Sequence, residues 1–174
     1  MKNIIPILSA TLLIATSCSQ NTRTGTAEGK SDSVAAPVAD HMVPQPLFAV
    51  MKINETIKVG DSVKLKFTVY NTADTAQHFC KWHTPFEPLI SKYLDIKDDK
   101  GEEASYKGAM AKRVMPPPAD SYVKVNPGDS LSVDVDVLKG YAISKPGKYS
   151  ISYNAQGMSG LIVKDSIAFN YVKP

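Results

Sequence analysis

From Leu47 onward, hydrophobic and polar residues alternate with a period of two. Val63, Leu65, Phe67 and Val69 alternate with Lys64, Lys66 and Thr68. That spacing sends one set of side chains to a core and the other to water, and predicts a half-buried strand. Asn71-Thr72-Ala73-Asp74 turns the chain, and a second strand is predicted from Gln77 to Trp82. Tyr93 to Lys97 is another, and Asp98-Asp99-Lys100-Gly101 predicts a hairpin returning through Glu103 to Tyr106. Tyr122 to Val125 leads into Asn126-Pro127-Gly128-Asp129, where proline presets one turn dihedral and glycine accepts a positive φ. Leu131, Val133, Val135 and Val137 resume the alternation. Lys145-Pro146-Gly147-Lys148 turns into Tyr149, Ile151 and Tyr153, and Ile167 to Val172 closes the chain. No window carries a sustained helical period, although Glu87 to Lys92 has room for one helical turn.

Seven to nine short strands punctuated by turns predict an all-β protein, an immunoglobulin-like β-sandwich spanning residues 45–174. The remainder of the chain has a different character. Met1-Lys2-Asn3 precedes an apolar run from Ile4 to Ala15, and Ala15-Thr16-Ser17 leads into Cys18. This order reads as a secretory signal over residues 1–17 with a lipobox-like end, although Ala15 stands where leucine is usual. The run is shorter than the roughly 20 apolar residues a membrane-spanning helix needs, and Pro6 interrupts it. Resemblance to a bacterial lipoprotein signal implies cleavage before Cys18 and acylation of that residue. The membrane would then be a partner through the lipid. Ser19, not Asp, follows the cysteine, which by resemblance to Gram-negative sorting rules implies the outer membrane, facing the periplasm. Residues 18–44 are rich in Ser, Thr, Ala, Gly and Asp and contain almost no large apolar side chain. Such a segment buries too little surface to offset its chain entropy, so a flexible tether with a root-mean-square span of roughly 30 Å is expected. His41 falls in that tether.

Composition narrows the function. The formal charge is +3, too mild to argue for nucleic acid, and no basic run interleaved with aromatics is present. If Cys18 carries lipid, Cys80 has no disulfide partner among the two cysteines, and packing must hold the sheets together. His-Glu-x-x-His is absent from the sequence, and Gly157-Met158-Ser159-Gly160 does not fit Gly-x-Ser-x-Gly. A thiol inside an apolar strand is a poor nucleophile, and Glu102-Glu103 reads as solvated hairpin surface. The expectation is therefore a protein without catalytic residues and without a cofactor. A weak metal reading remains at His78 and Cys80, which share one strand face and would bind copper or zinc only with further ligands; His83 points to the other face.

Two long connections are more distinctive: Lys81-Trp82-His83-Thr84-Pro85-Phe86-Glu87-Pro88, and Tyr106 to Arg113 followed by Pro116-Pro117-Pro118. Long ordered loops on a sandwich carry binding or fold back on the body. A triple proline lowers the entropy lost on docking. Trp82, His83, Thr84, Pro85, Phe86, Tyr106, Met110, Lys112 and Arg113 are the candidate partner-binding residues, several of them types enriched at interaction hot spots. For Trp82, the single tryptophan, a core plug between the sheets is the competing reading. Capping of one end of the sandwich is the competing reading for the loops.

Along these residues the chain resembles the amino-terminal, non-catalytic domain that precedes deuterolysin-type, peptidyl-Lys-preferring zinc metalloendopeptidases. The resemblance is carried by Lys81-Trp82-His83-Thr84-Pro85, Tyr106-x-Gly108, Ala111-Lys112-Arg113, Asp120-x-Tyr122, Asn126-Pro127-Gly128-Asp129-Ser130 and Ser144 to Tyr149. It implies a prodomain-like module, here as a stand-alone lipoprotein ending at Pro174 without the catalytic domain, and a secreted or periplasmic protease as partner. The leading expectation is a non-catalytic, lipid-anchored envelope binding module that inhibits or accompanies a protease. The alternatives are a copper or zinc carrier and a purely structural envelope lipoprotein.

Overall fold

The computed structural model describes residues 45–174. The expected signal peptide, Cys18 and the tether lie outside the described residues. Strands follow in the order β1 (Leu47–Ile53), β2 (Thr56–Lys58), β3 (Lys64–Asn71), β4 (Gln77–Cys80), β5 (Leu94–Asp98), β6 (Tyr122–Val125), β7 (Ser130–Asp136), β8 (Gly147–Tyr153) and β9 (Ile167–Val172). A single helical turn, α1 (Gln156–Ser159), precedes β9. One sheet has the order β1-β3-β7 and the other β2-β9-β8-β5; β4 and β6 form a separate two-stranded ladder. Pairing is antiparallel throughout except where β2 runs parallel to β9. The β-sandwich expected from the alternation is present.

The alternation decides which faces meet. Leu65, Phe67 and Val69 of β3 are fully buried, and they oppose Ile96 of β5, Ile151 of β8 and Phe169 of β9 in one continuous core. Each such side chain contributes about 1.5–3 kcal/mol on burial. Phe67 touches Tyr153 across the layers, with ring centroids 5.6 Å apart. Cys80 is a free buried cysteine, so among the described residues packing holds the sheets together.

Two local expectations are revised, at Glu103–Tyr106 and Glu87–Lys92, and two local features, β2 and α1, were not foreseen. The return strand from Glu103 to Tyr106 is reduced to two isolated bridges, Lys97 with Glu103 and Tyr106 with Tyr141. Asp98 Oδ1 accepts the N–H groups of Lys100 and Glu102, closing a tight turn at Gly101 (φ +82°), after which the chain veers to the Gly140–Ala142 segment. β2 is too short to show a period of its own, and it forms because its edge lies along β9. The Gly157–Gly160 stretch closes as α1 and ends at Gly160 in the left-handed region, where a side chain would be strained. Glu87 to Lys92 forms no helical turn; the Glu87 side chain is drawn into the loop described below.

Asn71 sets the position of the small β4-β6 ladder. Its buried side-chain amide reaches the carbonyl oxygens of Thr75, Val125 and Asn126, and its Oδ1 accepts the Ala73 N–H. At the far end of the ladder, Lys81 N–H donates to Ser121 O at 2.8 Å and Lys81 Nζ donates to Asp120 O at 2.9 Å. The two long connections therefore leave and return through one neck.

Candidate interaction surface

Beyond the neck the chain does not continue as strand. β4 ends at Cys80, and Trp82 and His83 occupy a turn. His83 has φ +58°, a left-handed conformation uncommon for a residue with a side chain. Its backbone is held from both sides: its N–H donates to Glu87 Oε1 at 2.9 Å, and its carbonyl accepts the Tyr153 hydroxyl at 3.0 Å. Thr84 is fully buried; its hydroxyl donates to Lys81 O and accepts the Phe86 N–H. These bonds fold Trp82–Glu87 into a compact knot. Phe86 is inserted edge-on between Phe67 and Phe79, fastening the knot to the core.

Arg113 completes the arrangement from the second connection. Its Nη2 straddles both Glu87 carboxylate oxygens, at 2.6 and 2.7 Å. Its guanidinium lies over the Trp82 ring, 4.7 Å from the centroid. Glu87 Oε1 also accepts the Ser91 hydroxyl at 3.2 Å. A buried carboxylate is tolerable only when its oxygens are satisfied in this way. Trp82, Glu87 and Arg113 thus form a clamp joining the two loops. Three smaller contacts align the second loop beside it. Ala111 N–H donates to Ile90 O at 2.8 Å, and the Tyr106 hydroxyl reaches both Leu89 O and Ala109 O. Burial raises the Tyr106 phenol above its ordinary range and raises Tyr153 further, so both serve as neutral hydroxyl donors.

With Arg113 turned inward, its neighbours face outward. Met110, Val114, Met115 and Tyr122 are the large hydrophobic side chains exposed among the described residues, at 68, 79, 62 and 45%. All four belong to the second connection or the strand that ends it. Lys107 and Lys112 are exposed on the same connection, and no Asp or Glu occurs from Ala104 to Ala119. The connection thus exposes large apolar side chains, with Lys107 and Lys112 on its first half and the exposed Asp120 two positions before Tyr122.

The structure brings Trp82, His83, Thr84, Phe86 and Arg113 together and turns most of them inward. Trp82 is buried beneath Arg113 rather than plugging the space between the sheets, because the strand stops two residues before it. Pro85 is buried as well, and Met110 and Lys112 stand in the solvent. Sequence reading missed Glu87, Val114, Met115 and Tyr122. A Val-Met pair before three prolines, outside any alternation, was the available signal for two of them. Glu87 offered none, since its partner lies in a distant loop. His78 is exposed while Cys80 is buried at the end of β4, so the pair does not share an accessible face. No group of three or more His, Cys, Asp or Glu side chains is arranged to hold a metal ion among the described residues.

A two-layer β-sandwich with a parallel β2-β9 edge defines the structural class. Residues 51–158 match the immunoglobulin-like domain family, and the chain belongs to it. An extracellular protease of Aeromonas hydrophila is 32% identical over 93 residues, covering 53% of this chain and 26% of that protein. An uncharacterized secreted protein of Arthroderma benhamiae is 27% identical over 128 residues, covering 70% of this chain and 64% of that protein. The chain therefore spans about a quarter of the first relative and just under two thirds of the second. The CARDB domain of a Pyrococcus furiosus protein aligns over 74% of this chain and 96% of its own, with 9% identity and a TM-score of 0.36.

Proposed function

We propose that this chain is a non-catalytic binding module of the cell envelope, held by lipid at Cys18, that accompanies or inhibits a secreted or periplasmic protease. The contact surface is the connection from Ala109 to Tyr122. In this reading Trp82, His83, Thr84, Phe86, Glu87 and Arg113 are scaffold, while Met110, Lys112, Val114, Met115 and Tyr122 meet the partner. The observation that carries it is the concentration of exposed large apolar side chains on one clamped loop. Apolar residues displayed by a rigid support lose little entropy on docking, and the exposed Lys107 and Lys112 favour a partner with acidic groups opposite them. Likeness to part of an extracellular protease, and to a secreted protein, supports an extracellular or envelope location and a protease as the partner. The finer resemblance to the non-catalytic domain of peptidyl-Lys zinc endopeptidases belongs to the same proposal.

The test is the affinity of the full chain for a purified zinc endopeptidase secreted by the same cells, with casein hydrolysis followed in parallel. Wild-type chain binds, and the Met110→Ser/Val114→Ser/Met115→Ser variant binds at least tenfold more weakly while melting at the same temperature. Equal affinity of the two chains refutes the surface. Lowered stability with no partner at all returns the loops to a purely structural role.

A further inference from the structure

β7 ends its sheet, and among the described residues no strand pairs with its outer edge. The other long edges are obstructed. β1 is bridged by Ile162, whose carbonyl accepts the Ala49 N–H, and β5 is bridged by Glu103. β7 carries no proline, bulge or lysine; its charged residues are Asp134 and Asp136, so the edge is open to a partner whose register sets no carboxylate against them. Its inward row is also incompletely covered. Leu131, Val133 and Val135 are only half-buried, whereas the adjacent row on β3 is wholly buried.

Register fixes what can pair there. Asn71 N–H donates to Asp129 O and Val137 N–H donates to Val63 O, flanking a ladder in which Leu65, Phe67 and Val69 oppose Val135, Val133 and Leu131. The backbone groups of these odd-numbered β7 residues therefore point toward β3, and those of Ser132, Asp134 and Asp136 point outward. Ser130 points outward too, but its N–H is held by Asp129 Oδ1 at 2.7 Å, so pairing is centred on Ser132 and Asp134. An antiparallel second β7 must match even positions with even positions. With the twofold axis at Val133, Ser132 meets Asp134 of the second copy and Asp134 meets its Ser132. A hydroxyl then faces a carboxylate in both pairs, and no like charges stand directly opposite. Within each copy Asp134 and Asp136 stand in register with Lys66 and Lys64, so a cation lies across the ladder from each carboxylate. A twofold axis at Asp134 instead would set carboxylate against carboxylate.

We propose that β7 is a self-association edge, through which two copies of this chain join antiparallel about Val133 into one continuous six-stranded sheet. The contact is small, so the dimer is weak and concentration-dependent. It is independent of the Ala109–Tyr122 surface, and the variants below leave that surface untouched.

The experiment uses the full chain in detergent. Directly opposed Val133 residues form a non-hydrogen-bonded pair with Cα atoms about 4.5 Å apart, within disulfide reach. Val133→Cys therefore cross-links to a disulfide dimer under mild oxidation much faster than Ser152→Cys on β8, an internal strand. Ser132→Asp places two carboxylates opposite each other and weakens self-association at least tenfold by sedimentation equilibrium. Adding Asp134→Ser in the same chain restores it, because each pair again holds one hydroxyl and one carboxylate. Val133→Cys cross-linking no faster than the control overturns the proposal, and so does a failure of the double variant to recover. Amide exchange at Ser132 and Asp134 supplies a check that requires no substitution. Protection that rises with protein concentration supports the dimer; protection independent of concentration means a segment of the same chain covers the edge, and overturns it.

Discussion

Arg113→Ala tests the clamp that displays the second loop. Arg113 makes three interactions at once: two contacts to Glu87 and one to the Trp82 ring. Breaking a wholly buried ion pair by removing one partner costs about 3–5 kcal/mol. Here the side chains are 17 and 5% exposed for Arg113 and Glu87, so water enters the vacated space, and Glu87 keeps its bonds from His83 and Ser91. The Arg113 Nε–H is buried without a partner, which further lowers the net value of the intact pair. Against this, the lost cation–π contact adds about 1 kcal/mol. The expected loss is about 2–3 kcal/mol in urea unfolding, with an unchanged m-value. Arg113→Lys keeps the charge and can still place one nitrogen against the carboxylate, but its ammonium cannot lie flat on the Trp82 ring as the guanidinium does, so it falls between wild type and alanine. Trp82 is the single tryptophan, so fluorescence reads the site directly: its emission shifts to longer wavelength in Arg113→Ala before any global unfolding. A midpoint within about 0.5 kcal/mol of wild type, the spread of ordinary surface substitutions, together with unchanged emission, refutes the clamp.

Other outcomes follow from the same geometry. A Cβ on Gly108 would collide with the Tyr106 hydroxyl and sit 3.0 Å from Leu89 O, so Gly108→Ala lowers stability by about 1–3 kcal/mol in thermal unfolding. His83→Gly is neutral or stabilising and His83→Val loses about 1–2 kcal/mol, because the residue acts through its left-handed backbone; a metal role for the imidazole would make both variants lose metal affinity equally. Burial raises the phenols of Tyr93, Tyr141 and Tyr153 above the ordinary value near 10. The folded state then holds protons that the unfolded state releases above that pH. This contribution is complete below pH 10 and is lost as pH rises from there toward the folded values, at up to about 1.4 kcal/mol per pH unit per tyrosine. Urea titrations at pH 8 through 11 check the sign, and stability rising with alkalinity would contradict it.

The sandwich was legible because burial on one face imposes a period of two, and the longest rows, Val63–Val69 and Leu131–Val137, became β3 and β7 with their flanking turns. The loops were legible as a region but not as a geometry. Trp82, Phe86 and Arg113 have side chains that suit either a core or a contact surface, and only Glu87 and the neighbouring rings decide which way each turns. That decision depends on pairing residues separated by an intervening strand, β5, which local spacing does not encode. Met110 stood out as a hot-spot type, whereas Val114, Met115 and Tyr122 gained meaning only once Arg113 was seen to face the other way.

Amide hydrogen exchange of the full chain, with and without the secreted zinc endopeptidase, tests the central claim most directly. Under the proposed function, the endopeptidase slows exchange across Ala109–Tyr122 and leaves the faces of both sheets unchanged. Protection confined to another surface, or no protection at saturating endopeptidase, contradicts it.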